Sequence, residues 1–345
     1  MSSWEDVAQE LIVGKSLDYR QSRELMALIM SGSLDEVRLA SFLSFLALRG
    51  VEVPELRGLA DEMRSLALGI NLPTDVVDIV GTGGDRANTV NISTMAAIVI
   101  AAAGLPVVKH GNRASTSACG SADVLEALGV NLELEIPEIE DVFGETGIAF
   151  LFANKFHPSM RHAARVRREL AFPTVFNVLG PLTNPAKPQI SVVGVAKEAF
   201  APLVAGVFAE RGTSAFVFRG AEFGLDEMTT AEPTEIWEVR GGTVVHRVVD
   251  AADILGLQRA SIEDLRGGKP ADNAAIARRV LTGETSPVAD AVALNTSLAL
   301  MAADRDATGD FEERLAQAMG TATEVLSSGT AIGTLDRWVS ATNTK

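Results

Sequence analysis

The sequence predicts an α/β protein with a small N-terminal helical domain and a larger domain whose central, mostly parallel sheet is flanked by helices. Three observations predict this fold. Residues 1–72 carry apolar positions at helical spacing. From residue 73 onward, short β-branched runs alternate with helical segments. Finally, 47% of the 345 residues are hydrophobic and 22% are charged, which is typical of a chain that folds around a sizeable core.

The first domain, residues 1–72, is predicted to consist of consecutive helices. The run Ser33-Leu34-Asp35-Glu36 fits a capping box that would start one helix, Gly50 would end it, and Pro54 suits the first turn of the next. None of these helices carries a chemical signature. We therefore interpret the domain as a packing or dimerisation module.

The second domain, residues 73–345, alternates strands and helices, which implies βαβ units. Its predicted elements in order are strand Val76–Val80, helix Met95–Ala103, strand Leu105–Lys109, helix Ala122–Leu128, strand Ile190–Val195, helix Ala199–Glu210 and strand Ala215–Arg219. Two runs around Gly241-Gly242, Thr234–Val239 and Thr243–Val248, predict a hairpin at a sheet edge. From about Ala271 onward the pattern is mostly helical.

Composition and charge exclude several classes of protein. The net charge of −15 and the 5% aromatic content disfavour a general nucleic-acid or membrane-surface binder. A single cysteine, Cys119, excludes an internal disulfide and a cysteine metal cluster. The acidic start shows no secretory signal, and the longest apolar run, Met95–Val108, is too short to span a bilayer. We expect a cytoplasmic protein without nucleic-acid or membrane partners.

Positive charge is concentrated in two segments of this acidic chain. Residues 81–121 carry a net charge of +2 and residues 153–168 a net charge of +5, so the rest carries −22. Three of the four histidines also lie in these segments. Two such segments beside glycine-rich loops favour a bound compact anion over two solvated surface patches.

The run Gly81-Thr82-Gly83-Gly84-Asp85 directly follows the first predicted strand. Glycines there allow positive φ and bring backbone amides close to an anion. The run lacks the third glycine of the dinucleotide fingerprint and the Gly-Lys-Ser/Thr of a P-loop. Taken alone, it fits a structural turn as well as a phosphate site.

Two further loops strengthen the phosphate hypothesis. Asn91-Ile92-Ser93-Thr94 precedes a helix, where Ser93 or Thr94 would be the N-cap and where free amides favour anions. Lys109-His110-Gly111-Asn112-Arg113 ends the next strand and leads through hydroxyl residues to Ser121 at another helix start. Ligands of open α/β sheets lie at the carboxyl ends of strands. Two adjacent loops of this kind indicate one ligand with more than one phosphate.

Two other motifs could complete a site. Arg167 shares a face with small apolar residues, so it would be partly buried and require a carboxylate or phosphate partner, either a ligand or a fixed protein salt bridge. Its neighbours Arg161, Arg165 and Arg168 would be solvated. Asp226-Glu227 lies in a glycine loop after a strand, and these adjacent acids could hold magnesium if the phosphate loops lie beside them.

Together these segments resemble the anthranilate phosphoribosyltransferase family over essentially the whole chain. The resemblance rests on GTGGD, NIST, KHGNRA, GSADVLEALG, FHPSMR, VRREL, FNVLGPLTNP and GLDE in this order. It implies a nucleoside phosphorylase/phosphoribosyltransferase fold and a homodimer joined through the helical domain, which a segment near 165–190 would complete. It also implies transfer of a phosphoribosyl group from 5-phosphoribosyl 1-diphosphate to anthranilate in tryptophan biosynthesis.

The resemblance also implies roles for individual residues. The residues that would bind phosphoribosyl diphosphate are Gly81, Gly84, Asp85, Thr89, Asn91, Ile92, Ser93, Thr94, Lys109, His110, Gly111, Asn112, Arg113, Ala114, Ser115, Thr116, Ser117 and Ser121. Those that would bind anthranilate are Gly81, His110, Asn112 and Arg167, with Arg167 on the carboxylate. Ser93, Asp226 and Glu227 would bind Mg²⁺, two ions per site. Many members carry a lysine where this chain has Ala118, so a pyrophosphate contact from that side chain is absent.

The implied reaction needs no strong general base, because an aromatic amine requires little deprotonation before it attacks the anomeric carbon. No residue is therefore assigned as a general base. The charge that develops on the leaving diphosphate would be stabilised by magnesium, Lys109 and helix-start amides. Two alternatives remain open at this point: a pyrimidine nucleoside phosphorylase of the same fold, and a non-enzymatic nucleic-acid-binding paralogue.

Overall fold

The computed structural model describes residues 4–114, 118–306 and 308–345. Its helices are α1 (Trp4–Ile12), α2 (Tyr19–Met30), α3 (Glu36–Arg49), α4 (Val53–Ser65), α5 (Ile92–Ala102), α6 (Ser121–Leu128), α7 (Ile136–Thr146), α8 (Ala153–Phe156), α9 (Arg161–Leu170), α10 (Phe176–Leu179), α11 (Ala201–Arg211), α12 (Ala251–Leu255), α13 (Pro270–Leu281), α14 (Pro287–Ala303), α15 (Phe311–Ser327) and α16 (Thr330–Asn343). Its strands are β1 (Val77–Gly81), β2 (Val107–Gly111), β3 (Ile148–Phe152), β4 (Ile190–Gly194), β5 (Ser214–Gly220), β6 (Thr234–Arg240) and β7 (Thr243–Val249).

The chain divides into two compact units. The helical unit comprises Met1–Gly69 and Ala153–Pro185, and the α/β unit comprises Ile70–Phe152 and Ala186–Lys345. The division lies within three residues of the predicted one at residue 72, and the returning segment Ala153–Pro185 overlaps the segment near 165–190 that was expected to complete the helical domain. The dimerisation role of this unit stays a prediction.

In the helical unit, α2 packs against α4 and α3 packs against α9. The core there is built from α-helical apolar positions, among them Leu25, Leu39, Leu43 and Leu56. Pro54 lies in the first turn of α4, as predicted. The N-cap of α3 is Asp35, whose carboxylate accepts from the Arg38 amide. The predicted cap Ser33 was therefore wrong.

The α/β unit contains a seven-stranded sheet in the order β3-β2-β1-β4-β5-β6-β7. The first five strands in this order are parallel, and β6 and β7 form an antiparallel hairpin at one edge. The mostly parallel sheet and the edge hairpin confirm the prediction. Strand β3 was not predicted, although it forms the opposite edge.

Helices α5 and α14 pack against the central strands, and both are apolar nearly all round because they lie between the sheet and further helices. The helix predicted to start near Met95 begins at Ile92, and its N-cap position is Asn91, without a side-chain capping bond. Ser93 and Thr94 therefore lie in its first turn, and their prediction as N-caps was wrong. Within the described ranges, no helix is both long and apolar enough to cross a membrane.

Candidate active site

The glycine-rich loop leaves the carboxyl end of β1 in the centre of the sheet. Gly83 and Gly84 adopt positive φ values of 67° and 92°, which glycine tolerates without a steric penalty. Arg86 and Asn88 also have positive φ, at 63° and 53°, which is uncommon for residues with a side chain. Backbone strain of this kind clusters at ligand-binding sites and supports a functional reading of the loop over a simple turn.

The acidic pair Asp226-Glu227 lies directly against this loop. The Gly83 amide donates to Asp226 Oδ2 at 2.6 Å. A Cβ on Gly81 would lie 2.2 Å from the same oxygen, and a Cβ on Gly194, at the end of β4, would lie 1.7 Å from the Asp226 carbonyl oxygen. These glycines are therefore required so that the acidic segment can pack onto the ends of β1 and β4.

Burial dominates the electrostatics of the acidic pair. Desolvation, with the charge of Asp85 next to it, raises the pKa of Asp226 to about 7. Desolvation and the neighbouring Asp226 charge raise the pKa of Glu227 well above its ordinary value, although the Lys109 charge and the Ser93 amide oppose this. The Ser93 amide donates to Glu227 Oε1 at 3.3 Å. Three carboxylates thus converge on one end of the sheet.

Lys109 lies beneath the site rather than on its surface. Its side chain is 1% exposed, and its ammonium donates to the Ile79 carbonyl and, at 3.2 Å, to Ser93 Oγ. Burial lowers the pKa of Lys109, while Asp78, Glu227 and Asp226 hold it up. Lys109 is therefore an internal counter-ion of the acidic pair, and its direct contact with a phosphate stays a prediction.

The arrangement fits a divalent cation. Burial destabilises the ionised form of these carboxylates, and a hard divalent cation that binds in place of the proton stabilises it. Among residues 4–114, 118–306 and 308–345, no three His, Cys, Asp or Glu side chains form a ready metal cage. A cation held by Asp226, Glu227 and Ser93 would therefore complete its coordination with water and ligand oxygens, as Mg²⁺ does in phosphate sites.

Asn91 joins three segments around the site. Its Nδ2 donates to the Cys119 carbonyl at 3.1 Å, and its Oδ1 accepts from Asn273 Nδ2 at 2.8 Å. Asn273 lies on α13, is 2% exposed, and accepts from the Gly268 amide at 2.7 Å. Asn91 therefore braces the loops in this structure, a function that the sequence analysis did not foresee.

The segment 266–268, which the sequence analysis missed, also holds the residues before α5 in place. Thr89 forms an isolated antiparallel bridge with Arg266, and the Gly267 amide donates to the Asn88 carbonyl at 2.8 Å. A Cβ on Gly267 would lie 2.9 Å from Asn273 Oδ1 and 3.0 Å from the Thr89 carbonyl. The Gly267-Gly268 pair was the available sequence signal for this close approach.

The loop after β2 is anchored by Asp123 of α6. Its Oδ2 accepts from the Ala114 amide at 3.0 Å and from the Gly120 amide at 2.8 Å. Arg113 pairs with the same residue at 3.3 Å and with Glu126 at 2.5 Å. Despite partial burial, these backbone bonds and Arg113 hold the pKa of Asp123 below its usual range.

The other predicted loop residues are placed as follows. The guanidinium of Arg113 is engaged by α6, so its predicted phosphate contact stays a prediction. Asn112 is exposed, and Ser121 begins α6. The predicted ligands Ser115, Thr116 and Ser117 lie outside the described residues.

Three predicted ligand residues, Ile92, Thr94 and His110, are buried, as is Cys119. The side chains of Ile92 and Thr94 are buried in the first turn of α5, and their amides donate to the Val90 and Asn91 carbonyls at 2.7 and 3.1 Å, so their predicted ligand contacts stay predictions. His110 is buried on β2, and its amide donates to Asp78 Oδ1 at 3.1 Å. Burial raises the pKa of the Cys119 thiol to about 11, so Cys119 is an inert core residue, as expected.

Arg167 lies in the helical unit, on α9. It is half-buried, and its guanidinium carbon lies 5.2 Å from the centre of the Phe176 ring. Burial lowers its pKa. In the part of the chain that the structure describes, no carboxylate pairs with it, which disfavours the fixed salt bridge and leaves the ligand interpretation. Arg161, Arg165 and Arg168 are exposed, as predicted.

Comparison with known proteins identifies the relatives of this chain. A family model described as "Glycosyl transferase family, helical bundle domain" matches residues 5–67, and one described as "Glycosyl transferase family, a/b domain" matches residues 73–332. An anthranilate phosphoribosyltransferase from Arthrobacter sp. (strain FB24) is 50% identical over 341 residues, covering 99% of this chain and 96% of the relative.

Solved structures give the same result. The crystal structure of anthranilate phosphoribosyltransferase (TrpD) from Thermus thermophilus superimposes with a TM-score of 0.90 at 40% identity, covering 98% of this chain and 99% of that one. The Saccharomyces cerevisiae anthranilate phosphoribosyltransferase in complex with PRPP and Mg matches with a TM-score of 0.87 at 26% identity, covering 99% and 98%. The yeast protein is also known in complex with 4-fluoroanthranilate, with a TM-score of 0.85 at 25% identity and coverage of 98% and 97%.

Proposed function

The chain belongs to the anthranilate phosphoribosyltransferase family, and we propose which of its residues perform the family's reaction. The function is transfer of the phosphoribosyl group from 5-phosphoribosyl 1-diphosphate to the amine of anthranilate. The products are N-(5-phosphoribosyl)anthranilate and diphosphate, and the reaction belongs to tryptophan biosynthesis. Neither alternative from the sequence analysis is favoured by a structural observation.

The phosphoribosyl diphosphate is bound at the carboxyl ends of β1 and β2, by the glycine-rich loop, the first turn of α5 and the loop that leads to Ser121. One observation carries this assignment: the Gly83 amide and the Asp226 carboxylate are 2.6 Å apart, which joins the phosphate loop to the acidic pair. A phosphate loop and a pair of buried acids are compatible in one site only when a cation lies between the anions.

Mg²⁺ is the cation that fits, and Ser93, Asp226 and Glu227 are the residues that would hold it. When bound, the metal neutralises charge on the diphosphate. We propose two ions per site, because the acids and the diphosphate together offer more oxygen ligands than one octahedral ion requires. Calorimetric titration of Mg²⁺ in the presence of phosphoribosyl diphosphate measures this number, and a stoichiometry of one would refute it.

We propose that Arg167 binds the carboxylate of anthranilate, and contacts of anthranilate with Gly81, His110 and Asn112 stay what the family resemblance implies. Arg167 supports this assignment best, because its guanidinium is half-buried and lacks a described carboxylate partner. A planar guanidinium matches a carboxylate in a bidentate manner, and the aromatic contact with Phe176 keeps it oriented. The carboxylate of anthranilate is the partner that this position lacks.

The chain catalyses the transfer mainly by orientation and charge. The amine nitrogen forms a bond to the anomeric carbon as the carbon–oxygen bond to diphosphate breaks, and the amine then releases a proton to solvent. No side chain is assigned as a general base. The first-turn amides of α5 donate to the Val90 and Asn91 carbonyls and to Glu227, so of the two predicted helix starts we assign stabilisation of the growing negative charge to α6. Lys109 supports Ser93 from below. Positioning of the two substrates lowers the remaining barrier.

We also propose that the protein is a cytoplasmic homodimer joined through its helical unit. Val37 and Leu48 of α3 are 76% and 87% exposed, and Ile12 and Val13 are also exposed. Exposed apolar residues that share one helix face mark an interaction surface. Val37→Glu with Leu48→Glu should produce a monomer in light-scattering chromatography, while Val245→Glu on the exposed β7 should not. A dimer that survives the double substitution would refute this interface.

The experiment that tests the function follows anthranilate fluorescence in the presence of phosphoribosyl diphosphate and Mg²⁺. We expect anthranilate to disappear with the matching release of diphosphate, and turnover to stop on chelation of the metal. Asp226→Asn with Glu227→Gln should abolish turnover. Phosphorolysis of a pyrimidine nucleoside without metal, in place of anthranilate loss, would overturn the proposal.

A further inference from the structure

The acidic segment Gly224–Met228 is held from one side by Asn295, which no sequence motif of the site includes. Asn295 lies on α14 and is fully buried. Its Nδ2 donates to the Met228 carbonyl at 2.8 Å, and its Oδ1 accepts from the Met228 amide at 3.3 Å. The same Nδ2 donates to the Ala291 carbonyl of its own helix at 2.8 Å. Met228 directly follows Glu227, so this bracket fixes the backbone next to the acid.

Only a primary amide can form both hydrogen bonds with the Met228 peptide. The Met228 peptide presents one donor and one acceptor, and the asparagine amide presents the complementary pair. A carboxylate in its place would lack the donor and would add negative charge next to two raised-pKa acids. An aliphatic side chain would leave both peptide groups buried without partners.

Glu232 holds the other side of the same segment. It is 1% exposed, and its Oε1 accepts from the Leu225 amide within the segment at 3.4 Å. Its Oε2 accepts from the Glu222 and Phe223 amides, just before the segment, at 2.6 and 2.7 Å. Gly220 has no room for a Cβ because Glu232 Oε1 would lie 1.8 Å away. The acidic pair therefore sits between two buried polar anchors.

Asn295 and Glu232 hold the acidic segment against electrostatic repulsion among its carboxylates. Burial is the main cause of the raised pKa values of Asp226 and Glu227, and the charges of Asp85 on both and of Asp226 on Glu227 add a repulsive contribution. A loop without fixed anchors would relax by moving the carboxylates apart or toward water. Helix α14 packs on β4 and β5, so Asn295 ties the acids to the centre of the sheet.

We propose that Asn295 is a positioning residue for the metal-binding acids: its amide holds the Met228 peptide so that Asp226 and Glu227 keep the separation that the cation requires. The proposal rests on the assignment of these acids to Mg²⁺. Groups that orient metal ligands from behind commonly change metal affinity by about 10- to 100-fold when removed.

The test compares Asn295→Ala with Ser297→Ala. Ser297 lies on the same helix, is equally buried, and bonds to the Ala293 carbonyl at 2.7 Å without touching the acidic segment. We expect Asn295→Ala to raise the half-saturating Mg²⁺ concentration about 10- to 100-fold, and to leave the KM for anthranilate unchanged. Ser297→Ala should leave both values unchanged. Equal Mg²⁺ requirements for the two variants would overturn the proposal.

A second measurement uses metal-free protein and does not depend on activity. Hydrogen exchange of the peptide that contains Met228 should be faster in Asn295→Ala than in wild type and in Ser297→Ala. Unchanged exchange there would refute the bracket, even if activity fell. If Asn295→Ala does not fold, Glu232→Gln is the variant to measure, with the same expected directions. A wild-type protein whose turnover ignores Mg²⁺ would instead refute the metal assignment, and the exchange comparison would still decide the role of Asn295.

Discussion

Replacing Asp226 by asparagine should make the metal-free protein more stable while removing its activity. The substitution keeps an oxygen that can accept from the Gly83 amide. It removes a carboxylate whose pKa burial and Asp85 raise to about 7. A carboxyl group with a raised folded-state pKa destabilises the fold when ionised, because the unfolded chain binds the proton less tightly.

The magnitude follows from the size of the shift. The pKa rises from 3.8 to about 7, and at about 1.4 kcal/mol for each pKa unit this corresponds to an upper limit of about 4 kcal/mol. The penalty is fully present above the folded-state pKa and declines as the pH falls toward the ordinary carboxyl value of about 4. Asp226→Asn should therefore gain stability near pH 7 to 8, and the gain should fade as the pH approaches about 4.

Thermal unfolding in a chelating buffer at several pH values measures this difference. At this chain length about 1 kcal/mol raises the unfolding midpoint by about 2 °C or less, so a shift of several degrees is the most that can occur. Asp306→Asn, an exposed change of equal charge, is the control and should shift nothing. A variant that is no more stable than wild type at neutral pH, or whose gain does not depend on pH, would refute the reasoning.

Three further predictions concern recognition of the two substrates. Arg167→Ala should raise the KM for anthranilate about 10- to 100-fold, as expected for the loss of a hydrogen-bonded charge pair, whereas Arg168→Ala on the exposed face should not; steady-state kinetics with each substrate decides this. Asn273→Ala should free Asn91 and raise the KM for phosphoribosyl diphosphate while sparing that for anthranilate, and equal changes in both KM values would contradict it. Asp123→Ala should release the Ala114 and Gly120 amides and weaken phosphoribosyl diphosphate binding in calorimetry; since the pKa of Asp123 lies below its usual range, its anchoring should persist at mildly acidic pH and fail only below about pH 4.

Local signals made most of the α/β unit predictable. Strands such as β1 and β4 are β-branched runs that end in glycine, and the structure places them within a residue or two of their predicted bounds. Strand β3 was not predicted, because Ile148–Phe152 is a short continuous apolar run and the periodicity of such a run does not distinguish a buried strand from a helix. The N-caps also escaped, because several capping residues lie next to each other and only the backbone path selects one.

The candidate site was also predictable only in part. Its loops carry contiguous motifs, so their residues could be named from the sequence. The braces behind them could not, because Asn273 and Asn295 act on partners far away along the chain. Lys109 illustrates the difference, since its motif indicates a cation but only the fold shows that the cation lies buried beneath Ser93.

The negative charge of the site predicts that phosphoribosyl diphosphate binds tightly only when Mg²⁺ is present. Asp85, Asp226 and Glu227 converge where a polyanionic substrate is proposed to bind, and Lys109 offsets only part of their charge. Without a cation, an incoming diphosphate would meet net negative charge from the buried carboxylates of Asp226 and Glu227, where repulsion is weakly screened. Calorimetry should therefore detect tight binding of phosphoribosyl diphosphate with Mg²⁺ and far weaker binding in a chelator. The double variant Asp226→Asn with Glu227→Gln should narrow that gap, because it removes the repulsion together with the metal ligands. Equal affinity of the wild-type protein in both buffers would mean that the acids do not face the diphosphate.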